Sequence, residues 1–322
     1  MYNFCTYFDK NYLIRGVTLF RSLSNFINDF RFFIICLDNF SYNLITKLNI
    51  SNLIPISLID IERNDVKLLE AKQNRSLIEY FFTLSPIIPL YILENYTNID
   101  VITYLDADIF FFSNPQPIFE EFAENSILIV EHRFPKHLNN LLEKGRFNVQ
   151  CQIFRKDNNG ISCLKWWRRK CLEWCYDRCE KDRYADQKYL DQFPILFDKL
   201  VILKHKGAGL APWNWMQYDI KIKENKIYVD NEELIFFHFS GLKIFHSHLI
   251  MHGLTNFGSN MPKTLRKMIY SEYLTAMRKT YRLIAHKTND KLNFSPINVR
   301  STSSFIYDFL YALKWRQLMI IT

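Results

Sequence analysis

Along the first hundred residues, short apolar runs alternate with segments whose apolar positions recur every three or four residues. The runs at 2–8 (YNFCTYF), 31–37 (RFFIICL), 54–61 (IPISLIDI) and 100–105 (DVITYL) have the length and side-chain types of buried strands. Between the first two lies NYLIRGVTLFRSLSNF, in which Leu13, Val17, Phe20 and Leu23 share one side of a helix. Strand alternating with helix predicts right-handed crossovers and a largely parallel sheet. The first half is therefore expected to be an α/β domain whose ligands bind beyond the carboxyl ends of the strands.

Past residue 125 the pattern is less regular. SILIV (126–130) and FNVQCQIF (147–154) predict strands, and GISCLKWWRRKCLEWCYDRCEK (160–181) predicts a helix. KIYVDNEELIFFHF (226–239) predicts a hairpin turned by Asp230-Asn231. No repeat, low-complexity tract or linker precedes about residue 258, so residues 1–258 are expected to form one domain and 259–322 a helical tail. In 262–287, Leu265, Ile269, Tyr273, Met277 and Tyr281 recur every four residues among lysines and arginines, and 305–321 reads as a second, more apolar helix. Such a basic amphipathic helix either docks on an anionic lipid surface or packs against the preceding domain with its charges solvated.

Composition changes this picture little: 48% hydrophobic and 23% charged residues over 322 positions describe a folded globular protein. Charge changes it more. The formal net charge is +8, and residues 263–322 carry 11 of the 41 basic residues but three of the 33 acidic ones, which places the whole excess in the tail. No nucleic-acid recognition motif accompanies it, so nucleic acid is not an expected partner. The N-terminus lacks a basic region and cleavage site, and no stretch of 18 uncharged apolar residues occurs. A cytoplasmic location is expected, and seven cysteines, an odd number, then predict free thiols. Cys163, Cys171, Cys175 and Cys179 would lie on one helical stripe without a Cys-x-x-Cys pair, an arrangement that cannot close a zinc tetrahedron.

Candidate chemistry gathers where DVITYL runs into Asp106-Ala107-Asp108. In an extended segment these carboxylates project to one side, at the end of a central strand, and repel unless a cation lies between them. Mg²⁺ or Mn²⁺ bridged to phosphates suits such oxygen ligands. The alternative is that one Asp caps the following turn and the other is solvated. His238, flanked by Phe236, Phe237 and Phe239, reads on its own as a core histidine.

The order of further motifs resembles that of GT-A-fold glycosyltransferases related to family 8, the group that includes glycogenin and bacterial lipopolysaccharide galactosyltransferases. It is similar above all to nucleotide-diphospho-sugar transferases of bacterial surface-polysaccharide synthesis. The matching pieces are FDKNYLIRGVTLFRSL, YLDADIFFFSNP, GRFNVQCQIF, WW…CLEWC…YADQKYLDQFP, GAGLAPWN and FFHFSGLK, covering residues 2–245. The resemblance implies a GT-A type, Rossmann-like mixed and mainly parallel sheet flanked by helices. It implies metal-dependent transfer of a hexose-type sugar, with retention, from a nucleoside diphosphate to a glycan or lipid-linked glycan hydroxyl. UDP is the donor nucleotide by analogy, and the acceptor class suggests a peripheral position at the inner face of the membrane.

Residue by residue, it implies that Asp106 and Asp108, on either side of Ala107, hold Mn²⁺ or Mg²⁺ with His238 as third ligand. Gly241 and Lys243 would contact the diphosphate, and Lys243 would help to stabilise its leaving charge. Asp186 and Gln187 would face the donor sugar and acceptor, with Asn148 and Asn214 near the donor. Thr6, Tyr7, Asp9 and Tyr12 are placed to meet the nucleotide base. Two departures stand out. The family pattern is His-x-x-Gly-x-x-Lys-Pro-Trp, whereas here Lys243 comes one residue early and Ile244-Phe245 follow it; Gln150 also stands where a glycine is usual after Asn148.

Other roles remain open for several of these residues. Asp186 suits a helix N-cap. It is also the candidate base should the reaction invert configuration. Trp213 and Trp215 suit either an acceptor sugar or the core. Two rival functions share the fold. One is a non-catalytic nucleotide-sugar or glycan-binding protein; the other is a sugar nucleotidyltransferase, which would need a glycine-rich basic loop where YFDKNYLIRG stands.

Overall fold

The computed structural model describes residues 1–63, 65–246, 249–288, 302–314 and 317–320. The first half alternates as the pattern predicts. β1 (Tyr2–Phe8), α1 (Leu13–Ser24), β2 (Phe30–Cys36), α2 (Asn39–Leu48) and β3 (Leu53–Ser57) are followed, after further helices, by β4 (Val101–Leu105) and β5 (Ile109–Phe111). Then come β6 (Ile127–Glu131), β7 (Phe147–Arg155) and β8 (Leu200–Ile202).

A seven-stranded sheet has the order β3-β2-β1-β4-β7-β6-β8. β7 runs antiparallel to both neighbours, and the other pairings are parallel. This is the mixed, mainly parallel sheet that the GT-A resemblance implies. Both faces are covered: Phe33 and Ile35 enter one core with Ile88, Ile92 and Trp167, while Phe32 and Ile34 enter the other with Val17, Phe20 and Phe111. Near-continuous apolar strands are what such double coverage requires.

The run at 54–61 is shorter as a strand than expected. It ends at Ser57 and turns into the helix Leu58–Glu62, whose buried Glu62 accepts from Lys72 Nζ at 2.7 Å and Tyr80 Oη at 2.6 Å. The helix predicted over 160–181 spans Asn158–Glu173. Trp174 is extended, and the following backbone is claimed by tertiary partners: Tyr189 Oη donates to Trp174 O, Ala185 N to Tyr176 O, and Asp177 N to Glu79. Cys175 and Cys179 thus leave the helical stripe.

The second half adds β9 (Ala208–Leu210), β10 (Ile220–Lys223), β11 (Lys226–Val229), β12 (Glu232–Glu233), β13 (Phe236–His238), β14 (Lys243–His246), β15 (Leu249–Met251) and β16 (Leu318–Ile320). Asp230-Asn231 turn a hairpin as predicted, with Val229 opposite Glu232, but its second arm is two residues long. The chain then leaves to form β13, which pairs antiparallel with β5 and parallel with β9 in a second small sheet. Burial of Phe236 and Phe237 against Phe111 and Phe110 outweighs continuation of the solvated hairpin.

In the tail, Lys263–Arg266, a π-helical turn at Lys267–Ser271 and Glu272–Thr288 follow one another directly. Leu265, Ile269, Tyr273 and Met277 are buried, and Tyr281 is half-buried. Their partners are Ile14, Phe110, Phe237 and Phe239 of the sheet body. Arg21 Nη1 donates to Thr280 Oγ1 and Lys287 Nζ to Leu48 O across the same contact. The segment predicted as a helix over 305–321 divides into the helix Thr302–Lys314 and β16, which pairs with β15; residues 315, 316 and 321 lie outside the described residues. Among the described residues no single helix is long and apolar enough to cross a membrane.

Candidate metal centre

Three backbone connections build the site. Asp106 N donates to Gln150 O at 2.9 Å, which extends the β4–β7 ladder by one bond past the end of β4. Ile109 N then donates to Asp106 O, closing the turn into β5, and Phe239 N donates to Asp108 O at 2.9 Å. Because His238 pairs with Ile109, the histidine lies beside the turn that carries both aspartates.

His238 Nε2 is 3.1 Å from Asp108 Oδ1 and 3.7 Å from Asp106 Oδ2. One ligand atom from each of the three residues falls within 4.8 Å of the others, the grouping of this kind found among the described residues. Tyr104, two residues before Asp106 and so on the same side of the strand, donates its hydroxyl to Asp106 Oδ1 at 2.9 Å. Asp106 therefore caps nothing in the following turn with its side chain; it faces the histidine.

Burial, reinforced by Asp108, pushes the Asp106 carboxyl up to about 6 against the opposing pull of His238. Burial acts on Asp108 in the same direction, but His238 and Arg15 beside it bring its carboxyl below the ordinary value. Burial disfavours charge on His238 too, yet the two carboxylates win and raise its affinity for a proton. A proton on His238 is thereby favoured between the two carboxylates. Two carboxylates and an imidazole suit Mn²⁺ or Mg²⁺, and the His238 proton would be displaced on binding.

The other expected site residues fall into groups. Asp186 is buried at the start of the 3₁₀ turn Gln187–Gln192, and its carboxylate makes no capping hydrogen bond there, contrary to an N-cap role. Burial lifts its carboxyl to about 7; Ser85 opposes this, and the nearby Asp106 charge adds to it. Tyr7 reaches the same corner, with its hydroxyl 3.2 Å from Ser85 Oγ and donating to Phe81 O at 3.0 Å. Gln187 donates to Lys144 O at 3.0 Å. Thr6 is fully buried on β1, and its hydroxyl has no partner among the described residues.

The carboxylate of Asp9 is engaged locally, accepting from Asn11 and from Tyr12 N at the turn into α1. The Tyr12 ring is exposed on one side and lies 4.7 Å from the Arg15 guanidinium on the other. Ala107 is half-buried between the two aspartates. Gly241 sits just beyond His238 with φ +76°, a backbone region that glycine enters without a Cβ penalty, and Lys243 opens β14 opposite Met251.

Asn214, expected near the donor, is fully buried with its amide engaged. Its Oδ1 accepts from Ala211 N, and its Nδ2 donates to His132 O and Gly209 O. It ties loops together behind the site. Trp213 is likewise buried, donating to His132 O and lying edge-on to the His238 ring at 5.5 Å, so it supports the ligand histidine rather than presenting a sugar-stacking face. Trp215 is half-buried and hydrogen-bonded to Ser259.

Two site residues escaped the sequence reading. Tyr104 is one, and its position two before Asp106 was the available signal. His132 is the other. It lies just past the end of β6, where burial holds its imidazole neutral, down to about 3. Its Nδ1 donates to Arg146 O at 3.3 Å while Nε2 accepts from Asn148 Nδ2 at 2.9 Å. Asn148 Oδ1 accepts from Gln150 N, so this neutral histidine fixes which way the Asn148 amide faces.

A pH effect on stability follows from Asp186. Its folded-state value lies above the ordinary carboxylate value, so the folded protein holds a proton that the unfolded chain releases. Stability due to this group is present in acid and lost as pH rises from about 4 to about 7. Asp186→Asn is therefore expected to be more stable than wild type by an amount that grows between pH 5 and pH 8, on the order of a few kcal/mol at the upper end and read as a widening Tm difference. A Tm difference independent of pH would show that Asp186 titrates as an ordinary surface carboxylate.

No protein-family model matches the chain. It is 34% identical over 251 residues to the uncharacterized protein YfnF of Bacillus subtilis, covering 75% of this chain and 82% of that one. It is 29% identical over 246 residues to the uncharacterized protein YfnD of the same organism, covering 76% and 78%. Among solved structures it is similar to an active-site mutant of LgtC (TM-score 0.47, 13% identity, 83% of this chain and 99% of that one). It is also similar to the glycosyltransferase GlyE of Streptococcus pneumoniae (0.45, 17%, 65% and 46%) and to mouse xyloside xylosyltransferase 1 (0.44, 13%, 66% and 87%).

Proposed function

The chain belongs to the family of the Bacillus subtilis protein YfnF, and from that premise we propose that it is a metal-dependent glycosyltransferase. The proposed reaction moves a hexose-type sugar from a nucleoside diphosphate, UDP by the resemblance of its motifs, to a hydroxyl of a glycan or lipid-linked glycan. The observation that carries this reading is the convergence of Asp106, Asp108 and His238 at the end of a central strand. A divalent ion held there, Mn²⁺ or Mg²⁺, would supply Lewis-acid stabilisation of the charge that develops on a leaving diphosphate.

The chain's own residues supply the rest. Tyr104 holds the Asp106 carboxylate in place, and Trp213 packs edge-on against His238, limiting ring rotation and water access. Asn148, fixed by His132 and Gln150, keeps one amide hydrogen that would serve the donor sugar. Asp186, whose carboxyl burial lifts to about 7, suits hydrogen bonding to a sugar hydroxyl. Gly241 would permit close approach to the diphosphate, and Lys243 opens the strand that follows it. The base would meet Tyr7, Asp9 and Tyr12 at the mouth of β1, while Thr6, fully buried inside the strand, lies out of its reach, and Gln187 would meet the acceptor.

Retention of configuration and a product in bacterial surface polysaccharide are part of the proposal. So is a cytoplasmic enzyme peripheral to the membrane. Ile306, Tyr307, Leu310 and Leu313 of the helix Thr302–Lys314 are exposed, which beside the basic excess of the tail supports docking on an anionic membrane surface. Incubation with UDP-glucose, UDP-galactose and UDP-N-acetylglucosamine plus Mn²⁺ is expected to release UDP. No turnover of any nucleotide sugar and no metal-dependent UDP binding would overturn the proposal. Metal-dependent binding without turnover would select the non-catalytic binding protein instead.

A further inference from the structure

Helix α1 carries an arginine among its buried residues. Arg15 is 4% exposed, and its guanidinium lies under the metal centre. Nη2 donates to Leu242 O at 2.8 Å, inside the loop that links His238 to β14. Nη1 is 3.9 Å from Asp108 Oδ2, beyond hydrogen-bond distance, and neither Nη1 nor Nε has a hydrogen-bond partner among the described residues.

A buried guanidinium with unpaired donors is costly unless something completes it. One carboxylate at 3.9 Å does not. The Tyr273 hydroxyl, from the tail helix, is a second buried polar group without a partner, and it lies near enough to Arg15 and Asp108 to feel both charges. Unsatisfied donors beside a candidate metal ligand and against the 240–243 loop describe an anion site with a doubly charged, multi-oxygen ligand as its natural occupant.

Resting on the glycosyltransferase reading, we propose that Arg15 is a diphosphate-binding residue: anchored through Leu242 O, it offers its free Nη1 and Nε hydrogens to the diphosphate of the donor. This supplies from α1 a cation that the shifted Lys243 motif would otherwise provide alone. Arg15 acts on the ligand directly, in contrast to a residue that merely orients Asp108.

Binding measurements separate those roles. Wild type, Arg15→Met and Arg15→Lys would be titrated with Mn²⁺ alone, with UDP plus Mn²⁺, and with inorganic pyrophosphate plus Mn²⁺. Arg15→Met is expected to weaken UDP and pyrophosphate binding roughly 10- to 100-fold, while affinity for Mn²⁺ alone holds or rises because a nearby cation has been removed. Loss of Mn²⁺ affinity in step with UDP affinity would overturn the proposal, since Arg15 would then act through Asp108. Unchanged pyrophosphate affinity would overturn it too. Should Arg15→Met fail to fold, Arg15→Lys, which keeps the charge without the planar fork, must show the same pattern at smaller amplitude. If wild type binds neither probe with Mn²⁺, the nucleotide-sugar reading falls first and this inference with it; if wild type binds and the variants match it, only the inference falls.

Discussion

Asp108→Asn is expected to abolish Mn²⁺ binding and to lower sugar transfer by at least about 10²- to 10³-fold while the protein stays folded. The side chain keeps its volume, and the Asp108 interaction that shapes the backbone is its carbonyl, which accepts from Phe239 N and does not depend on the carboxylate. What disappears is the anionic oxygen 3.1 Å from His238 Nε2. His238, no longer sharing a proton between two carboxylates, should then bind that proton less tightly. Metal titration, circular dichroism and donor hydrolysis on one preparation test the three parts. Wild-type Mn²⁺ affinity in Asp108→Asn would remove the metal centre from the account, and loss of native circular dichroism would show that the carboxylate is needed for folding.

The sequence made the Asp-x-Asp end of β4 legible because its signal is local: an apolar strand, then two acids in extended spacing. His238 was legible through motif order alone, since locally it is a histidine in a phenylalanine run. The β5–β13 pairing that unites them joins segments some 130 residues apart, and no periodicity within either segment encodes it. Arg15 and His132 were missed for a related reason. Arg15 is a polar interruption of the apolar run around it and His132 lies in the polar stretch Glu131-His132-Arg133; in both cases the meaning comes from what lies across the interface. The helix over 160–181 was drawn too long because Trp174 and Tyr176 give their carbonyls to Tyr189 and Ala185, and such partners are invisible to pattern reading.

The second large effect concerns the tail. Tyr273→Ala is expected to destabilise the protein by about 3–5 kcal/mol in urea unfolding, against a usual total of roughly 5–15 kcal/mol. Tyr273 is completely buried, stacked on Phe239 at 4.0 Å between ring centroids and 5.5 Å from Phe110. Its hydroxyl has no partner among the described residues, so Tyr273→Phe should stay within about 1 kcal/mol of wild type. A cost under about 1 kcal/mol for the alanine variant would mean that the helix Glu272–Thr288 rests on the body without holding it. With the expected cost, the four-residue stripe is core. The proposed membrane docking would then fall to the exposed residues of the helix Thr302–Lys314 and to the charges that Lys263–Thr288 leaves in solvent.

Asp108 and His238 stand 130 positions apart in the chain yet touch through one hydrogen-bonded strand pair. An ion bound by both would act as a removable crosslink across the long loop between them. Chain entropy makes such a clasp more valuable the longer the loop it ties, so cofactor loading and mechanical integrity become one property. The cell's supply of divalent ions would then set how long the molecule stays folded as well as whether its proposed activity runs, and chelation would shorten the folded lifetime of the protein by itself.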